Sequence, residues 1–251
     1  MPNQAAYGLW LNQKGKVVAD SFVLRDEGGA YFLGSYHSPA AVIRERLEAY
    51  IIADDVTITD ETAQWRGVTL LTDEPPETWR TELPGGFVFR GRRDVTAHWE
   101  WVAPAAQVES HLAQLGPALD ATAMERRRIL AGIPAVPPDL GPNDLPNEGG
   151  LERDAVSYTK GCYLGQEVMA RLKAMGQVRR RLLRVRGTGV VPALPATVFA
   201  GGREAGELRS AITLAEGYAG LAMVTLRHLP ADGKLALAAD AAPALQLTEQ
   251  P

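Results

Sequence analysis

The one cysteine of this 251-residue chain, Cys162, is the side chain whose type and setting point most directly to chemistry. It sits in Ser157-Tyr158-Thr159-Lys160-Gly161-Cys162-Tyr163-Leu164-Gly165-Gln166-Glu167. Leu164, Val168, Leu172 and Met175 follow at helical spacing, so the thiol lies in a glycine-flanked loop just before a helix. A helix N-terminus carries partial positive charge and Lys160 adds a full one; both favour a thiolate, the nucleophilic and metal-binding form of cysteine. Gly161 and Gly165 would let the backbone approach a ligand closely. A second reading stands beside this one: a free cysteine is often simply a small buried hydrophobe. Cys/His catalysis needs a partner that linear spacing cannot identify.

The elements that must position this loop can be read from both sides of it. Residues 7–11 and 16–25 flank the turn Asn12-Gln13-Lys14-Gly15, as in a β-hairpin. A second turn, Asp26-Glu27-Gly28-Gly29, leads into a strand over 30–36. Ser38-Pro39 predicts a helix over 39–51, with Ser38 as its cap and an apolar stripe of Val42, Ile43, Leu47, Tyr50 and Ile51. Strands are expected at 56–59, 68–72 and 97–102. A helix from Pro104 to Gly116 repeats Val108, Leu112 and Leu115, and another runs from an Asp120 cap to Leu130 with Gly132 beyond it. Residues 133–150 hold Pro134, Pro137, Pro138, Pro142 and Pro146 with three glycines, which forbids a regular element. A loop of that length in a compact protein is usually functional or linking. Beyond Arg180 the pattern is short strands and turns, read as a small β-domain. The expected division is 1–178, an α+β region, and 179–251, a C-terminal β-barrel domain.

Composition limits the function classes. Apolar residues make up 46% and charged residues 22%, ordinary for a globular chain. With 26 Lys and Arg against 30 Asp and Glu the net charge is −4, which excludes a globally basic nucleic-acid binder. One cysteine excludes a disulfide framework and any all-cysteine metal site. No charged and apolar leader opens the chain, and its longest uncharged stretch, 187–202, is broken by prolines and glycines; a cytoplasmic protein off the membrane is expected.

Lys160-Gly161-Cys162-Tyr163-x-Gly165-Gln166-Glu167 resembles the signature of the YgfZ family of folate-binding proteins, which is similar in fold to the glycine-cleavage T-protein, an aminomethyltransferase. Four further segments agree in order. They are Lys14-Gly15-Lys16-Val17-Val18-Ala19-Asp20, Arg128-Ile129-Leu130-Ala131-Gly132-Ile133-Pro134, Leu145-Pro146-Asn147-Glu148, and the barrel segment from Gly206 to Ser210. The resemblance covers roughly residues 8–227. It implies an α+β aminomethyltransferase-like folate-binding fold, with a ferredoxin-like layer and a C-terminal small β-barrel. It also implies tetrahydrofolate or a one-carbon derivative as cofactor, and iron–sulfur enzymes or their assembly proteins as partners. Function is then expected to be an accessory one, supporting iron–sulfur enzymes including those that modify tRNA; the alternative is a tetrahydrofolate-dependent aminomethyl or one-carbon transferase.

By the same resemblance Cys162 is the reactive thiol, and Glu148, Lys160, Gly161, Tyr163, Gln166, Glu167 and Arg128 are the cofactor-binding set. Glu148 corresponds to a carboxylate set against the pterin, where it can accept two parallel hydrogen bonds from a ring N–H and an amino group. The other reading of Glu148 is a solvated loop glutamate. Two departures bear on the expectation. Leu130 stands where the family usually has glutamate, and the sequence opens near its hairpin, without a counterpart of the Asn-Asp pair that precedes it in the family. Transfer chemistry is accordingly the second expectation.

From Val168 to Arg203 there is no acidic residue, while Arg171, Lys173, Arg179, Arg180, Arg181, Arg184, Arg186 and Arg203 are basic. The Arg171–Arg186 stripe reads either as a rim for a polyanion, such as a folate glutamate tail or RNA, or as a strand face whose arginines pair with acids elsewhere. His37, His98, His111 and His228 have no metal-ligand spacing and are read as structural or surface residues. Trp65, Trp79, Trp99 and Trp101 fall in or near strands and are read as packing.

Overall fold

The computed structural model describes residues 5–74, 83 and 85–248, so Trp79 lies outside the described residues. The chain begins with an antiparallel sheet of β1 (Ala6–Leu11), β2 (Val17–Arg25) and β3 (Tyr31–Gly34). Helix α1 (Ala40–Glu48) follows, then a second antiparallel sheet in the order β4 (Trp65–Leu70), β6 (Trp99–Pro104), β5 (Phe87–Arg90), and α2 (Ala105–His111). The second sheet has two covered faces. Phe87 and Phe89 pack with Phe22 and Leu24 of the first sheet, while Val88, Trp101 and Ala103 pack on Val108 of α2. Trp65, Trp99 and Trp101 are all packed in these layers.

Helix α3 (Ala121–Ala131) has the ends its sequence announces. Asp120 accepts the Ala123 N–H at 2.7 Å, and Gly132 closes the helix at φ 73°, where a side chain would be strained. Helix α4 (Gln166–Met175) lies between Gly165 and Gly176, both left-handed. The remaining strands are β7 (Arg180–Gly187), β8 (Ala196–Ala200), β9 (Arg203–Thr213), β10 (Tyr218–Thr225), β11 (Lys234–Leu235) and β12 (Leu245–Leu247). They form one sheet in the order β11-β12-β7-β10-β9-β8, and a bridge between Phe199 and Ala236 joins its two ends into a nearly closed barrel.

Strand β10 shows why the barrel and the rest of the chain share a core. Tyr218, Ala222 and Val224 point into the barrel with Val185, Leu208 and Leu245. Ala219, Leu221 and Met223 point outward onto Ile129 of α3, Met169 of α4, and Val136 and Leu140 of the 133–150 loop. Successive strand residues face opposite ways, so a strand buried on both faces reads as a continuous apolar run. The seven buried positions from Tyr218 to Val224 are that run.

Three sequence expectations need correction. Ser38 does not cap α1. Pro39 occupies the cap position, and the Ser38 hydroxyl instead donates to Asp20 Oδ1 at 2.7 Å while accepting the Asp20 N–H. The helix ends at Glu48, leaving Tyr50 62% exposed; the Tyr50 and Ile51 N–H groups close three-residue turns on Leu47 and Glu48. Residues 56–59 form no strand: their β-branched side chains favour one, but no ladder partner lies beside them among the described residues.

Candidate functional site: a charged clasp and an exposed thiol loop

The 133–150 loop is pinned by charge. It carries three buried acids, Asp139, Asp144 and Glu148, and each meets an arginine from a regular element. Arg128 of α3 donates to Asp139 Oδ2 at 2.5 Å, to the Ile133 carbonyl, to Glu125 and to Ser210 Oγ. Arg209 of β9 donates to Asp144 Oδ2 at 2.5 Å, and Arg180 of β7 to Asp144 Oδ1 at 3.0 Å. Arg180 also grips Glu148 with two nitrogens, Nε to Oε1 at 3.1 Å and Nη2 to Oε2 at 2.9 Å. Such planar two-point pairs combine charge with fixed direction. An irregular loop thereby gains the fixed geometry of the helix and barrel it touches.

Two of the expected cofactor-binding residues lie in this clasp. Glu148 is 4% exposed, which rules out the solvated-loop reading; beyond the Arg180 pair its Oε2 accepts the Leu145 N–H at 2.7 Å. All five N–H positions of Arg128 face protein acceptors, so its guanidinium positions the loop. Asp139, Asp144, Arg209 and Ser210 complete the clasp and were not singled out for it by the sequence reading. The signal available was the acid content of a proline-rich loop, but the arginine partners come from distant segments. Two clefts border the clasp, of about 300 Å³ between α3 and β9 and about 370 Å³ along the barrel beside Arg180. No residue of the 157–167 loop lines either.

The other expected site residues come together on that loop. Cys162 is exposed, which overturns its reading as a buried hydrophobe. Lys160 holds its ammonium 5.1 Å over the Tyr163 ring, and Lys173 of α4 sits 4.3 Å over Tyr158. Gln166 opens α4, and its N–H bonds the Tyr163 carbonyl at 3.2 Å. Glu167 is paired with Arg171 at 3.4 Å, with both side chains largely in water, a contact worth at most a few tenths of a kcal/mol.

The two glycines differ in role. Gly161 faces open space, so the backbone there is free to be approached. At Gly165, φ is 82° and a Cβ would lie 2.8 Å from Gly15 Cα and 2.9 Å from the Asn12 carbonyl. The close approach at Gly165 is therefore made by the β1–β2 turn of the same chain.

Six buried side-chain polar atoms lack a hydrogen-bond partner among the described residues, and three of them fall in one stretch: Asn147 Oδ1, Glu152 Oε2 and the Tyr163 hydroxyl. Buried polar atoms are nearly always paired, so each of these orphans is a place where a ligand or water can complete the structure. Burial raises the pKa of the Tyr163 phenol, and nearby Tyr158 adds to the shift.

The basic stripe is divided by the fold. Arg171 pairs with Glu167, Arg180 with Asp144 and Glu148, and Arg184 donates to the Leu130 carbonyl at 2.9 Å, while Arg179, Arg181, Arg186 and Arg203 are exposed. The histidines are tied locally. His98 is buried between the Thr96 carbonyl and the Arg93 N–H, and His111 and His228 bond the Gln107 and Glu204 carbonyls. His37 Nε2 lies 4.0 Å from Glu125.

Layered sheets, a clasped central loop and a C-terminal barrel define the class: an α+β protein with the aminomethyltransferase T fold. Glycine cleavage system aminomethyltransferase T from Bartonella henselae superposes with a TM-score of 0.76 over 100% of this chain and 76% of its own, at 16% identity. Residues 179–248 match the family described as CAF17, C-terminal beta-barrel domain. Iron-sulfur cluster assembly factor IBA57, mitochondrial, of Mus musculus is 30% identical over 236 residues, 88% of this chain and 65% of that protein. tRNA-modifying protein YgfZ of Edwardsiella ictaluri is 34% identical over 129 residues, 49% of this chain and 39% of that protein. In sequence the chain is thus similar to the YgfZ and IBA57 proteins, in its barrel to the CAF17 C-terminal domain, and in fold to aminomethyltransferase T. It spans about two thirds or less of the length of these curated relatives. No helix among the described residues is long and apolar enough to cross a membrane.

Proposed function

We propose that this protein is a folate-binding accessory factor that supports the assembly or maintenance of iron–sulfur enzymes, including those that modify tRNA. The observation that carries the reading is the exposed Cys162 thiol on the loop entering α4, in a chain whose relatives are named for iron–sulfur cluster assembly and tRNA modification. An accessible thiolate can act as an exchange nucleophile, a redox centre or a transient ligand. Lys160 beside it supplies positive charge, and Gly161 leaves the backbone open to approach.

The cofactor in this reading is tetrahydrofolate or a one-carbon derivative. The residues present fit it: Asn147 Oδ1 and Glu152 Oε2 are buried acceptors without donors, and a reduced pterin offers ring N–H and amino donors. The Tyr163 hydroxyl adds a third unpaired group, while Gln166 and Glu167 edge the same loop. Glu148 and Arg128 then act from the clasp, holding the 133–150 backbone in place. Bound there, a reduced folate would supply a one-carbon unit or reducing equivalents. The chain divides in this reading into a folate-binding region, 1–178, and a barrel domain, 179–251, working in the cytoplasm. The exposed Arg179, Arg181 and Arg186 are left for a polyanion.

The shared fold favours a second reading, a one-carbon transferase, which needs a general acid or base free to move a proton. Asp20 already accepts from Tyr7, Ser35 and Ser38, and Asp139, Asp144 and Glu148 each accept at least three hydrogen bonds. That ranks transfer second. The test is replacement of the family's resident gene in a bacterial host by wild type or Cys162→Ala. Loss of iron–sulfur enzyme activity with Cys162→Ala, at unchanged protein level, is expected; full support by that variant overturns the thiol's role. Turnover of a methylene-folate product with an amine donor would put transfer first.

A further inference from the structure

We propose that Lys14, Lys16, Lys160 and Lys173 form a cationic rim around the Cys162 loop that docks an acidic protein surface. The choice of a protein as the partner rests on the accessory reading above; the charge field belongs to this chain alone.

Two packing features assemble the rim. The contact of Gly165 with Gly15 and the Asn12 carbonyl seats the β1–β2 turn on the first turn of α4. Lys14 and Lys16 flank Gly15 and are thereby brought to the end of α4 where Cys162 lies. The second feature is the pair of tyrosines: Tyr163 and Tyr158 pack against the core and present their rings to the ammonium groups of Lys160 and Lys173. Cation–π contact fixes an ammonium without neutralising it.

Among the described residues none of the four lysines pairs with an acid. Lys16 Nζ donates to the Asn143 carbonyl at 3.0 Å, and the other three ammonium groups have no carboxylate partner among the described residues. Of the acids in the neighbouring segments, Glu167 is paired with Arg171 and Asp154 with Arg92, while Glu152 is half-buried with Oε2 unpartnered. The loop thus carries concentrated positive charge in a chain of net charge −4. Screening in about 0.1 M salt sets in over roughly 10 Å, so charges gathered around one loop act together at low salt and are screened from one another by added salt. Single-stranded RNA is the weaker candidate, because it would need rings to stack on, and both tyrosines here are already capped by ammonium groups. A protein surface of carboxylates needs only charge and fit, and it would bring its own groups up to the exposed thiol.

Because Cys162 is the chain's one cysteine, its reaction rate reports the local field. The first measurement compares a dianionic aromatic disulfide, dithiobis(nitrobenzoate), with dicationic cystamine. In each case the Cys162 thiolate attacks one sulfur, the reagent's S–S bond breaks, a mixed disulfide stays on Cys162 and the other half leaves as thiolate, the cysteine proton having gone to solvent. Normalised to N-acetylcysteine amide, the anion-to-cation rate ratio is expected to be about tenfold higher at low salt and to collapse in high salt. The variant Lys14→Gln/Lys160→Gln/Lys173→Gln should lose most of that excess; an unchanged ratio overturns the rim. The second measurement asks whether a ten-residue oligoglutamate or an oligouridylate of equal charge slows Cys162 alkylation by neutral iodoacetamide. Protection by oligoglutamate with little by oligouridylate supports the proposal. Protection mainly by the RNA, or by neither probe, overturns it. Neither measurement involves folate or iron–sulfur enzymes, so failure here is separate from failure of the accessory function.

Discussion

Arg128 and Asp139 meet at 2.5 Å in a setting where Arg128 is 4% exposed and Asp139 is fully buried. The pair joins α3 to the 133–150 loop, and Ser210 of β9 closes a triangle with it by donating to Asp139 Oδ1 at 2.5 Å. Removing the arginine would leave a buried carboxylate without its counter-charge. Arg128→Met is therefore expected to cost about 3–5 kcal/mol in urea denaturation. A loss below about 1 kcal/mol would show that the loop does not depend on this clasp.

Glu100 sets up a pH dependence. It is buried between the two N-terminal sheets, accepting the Tyr36 hydroxyl at 2.7 Å and the Thr69 hydroxyl at 2.9 Å. Burial pushes its carboxyl up to about 7, against the opposing pull of those donors and of Arg93. A folded-state value above the unfolded one means that the protonated form favours folding. That stability is complete below the unfolded value and is lost as pH rises through about 7. From pH 5 to 8 the wild type should lose roughly 3 kcal/mol relative to Glu100→Gln. Parallel stability curves for the two proteins across that range would contradict this.

Gly165 is expected to tolerate no side chain. Its φ of 82° disfavours one, and a Cβ would press on the Gly15 backbone. Gly165→Ala should cost at least 1 kcal/mol and speed amide exchange in the Asn12–Gly15 turn, while Gly161→Ala should do neither. Equal behaviour of the two variants would mean that the turn is not seated on α4.

Asp120 offers a smaller, local test. Its Oδ1 holds the Ala123 N–H at 2.7 Å, so Asp120→Ala should cost about 1 kcal/mol while leaving Cys162 equally reactive. A change in thiol reactivity would reveal coupling between α3 and the thiol loop.

The features legible in the sequence are those fixed by neighbours along the chain. Asp120 and Gly132 mark the ends of α3, Asn12–Gly15 makes the first hairpin turn, the 133–150 loop is irregular, and Cys162 precedes a helix, because each depends on torsion preferences and hydrogen bonds within a few residues. Exposure of Cys162 was not legible, since a free cysteine suits either environment and packing decides. Residues 56–59 show the converse failure: strand propensity is present, but a strand exists only where a neighbouring ladder accepts it. The clasp required tertiary structure altogether. Arg128, Arg180 and Arg209 look alike in sequence to the exposed Arg179 and Arg181; only the folding of helix, barrel and loop onto one another selects which of them meet Asp139, Asp144 and Glu148. Burial then makes each choice consequential, because a charge taken out of water must find its partner or destabilise the fold.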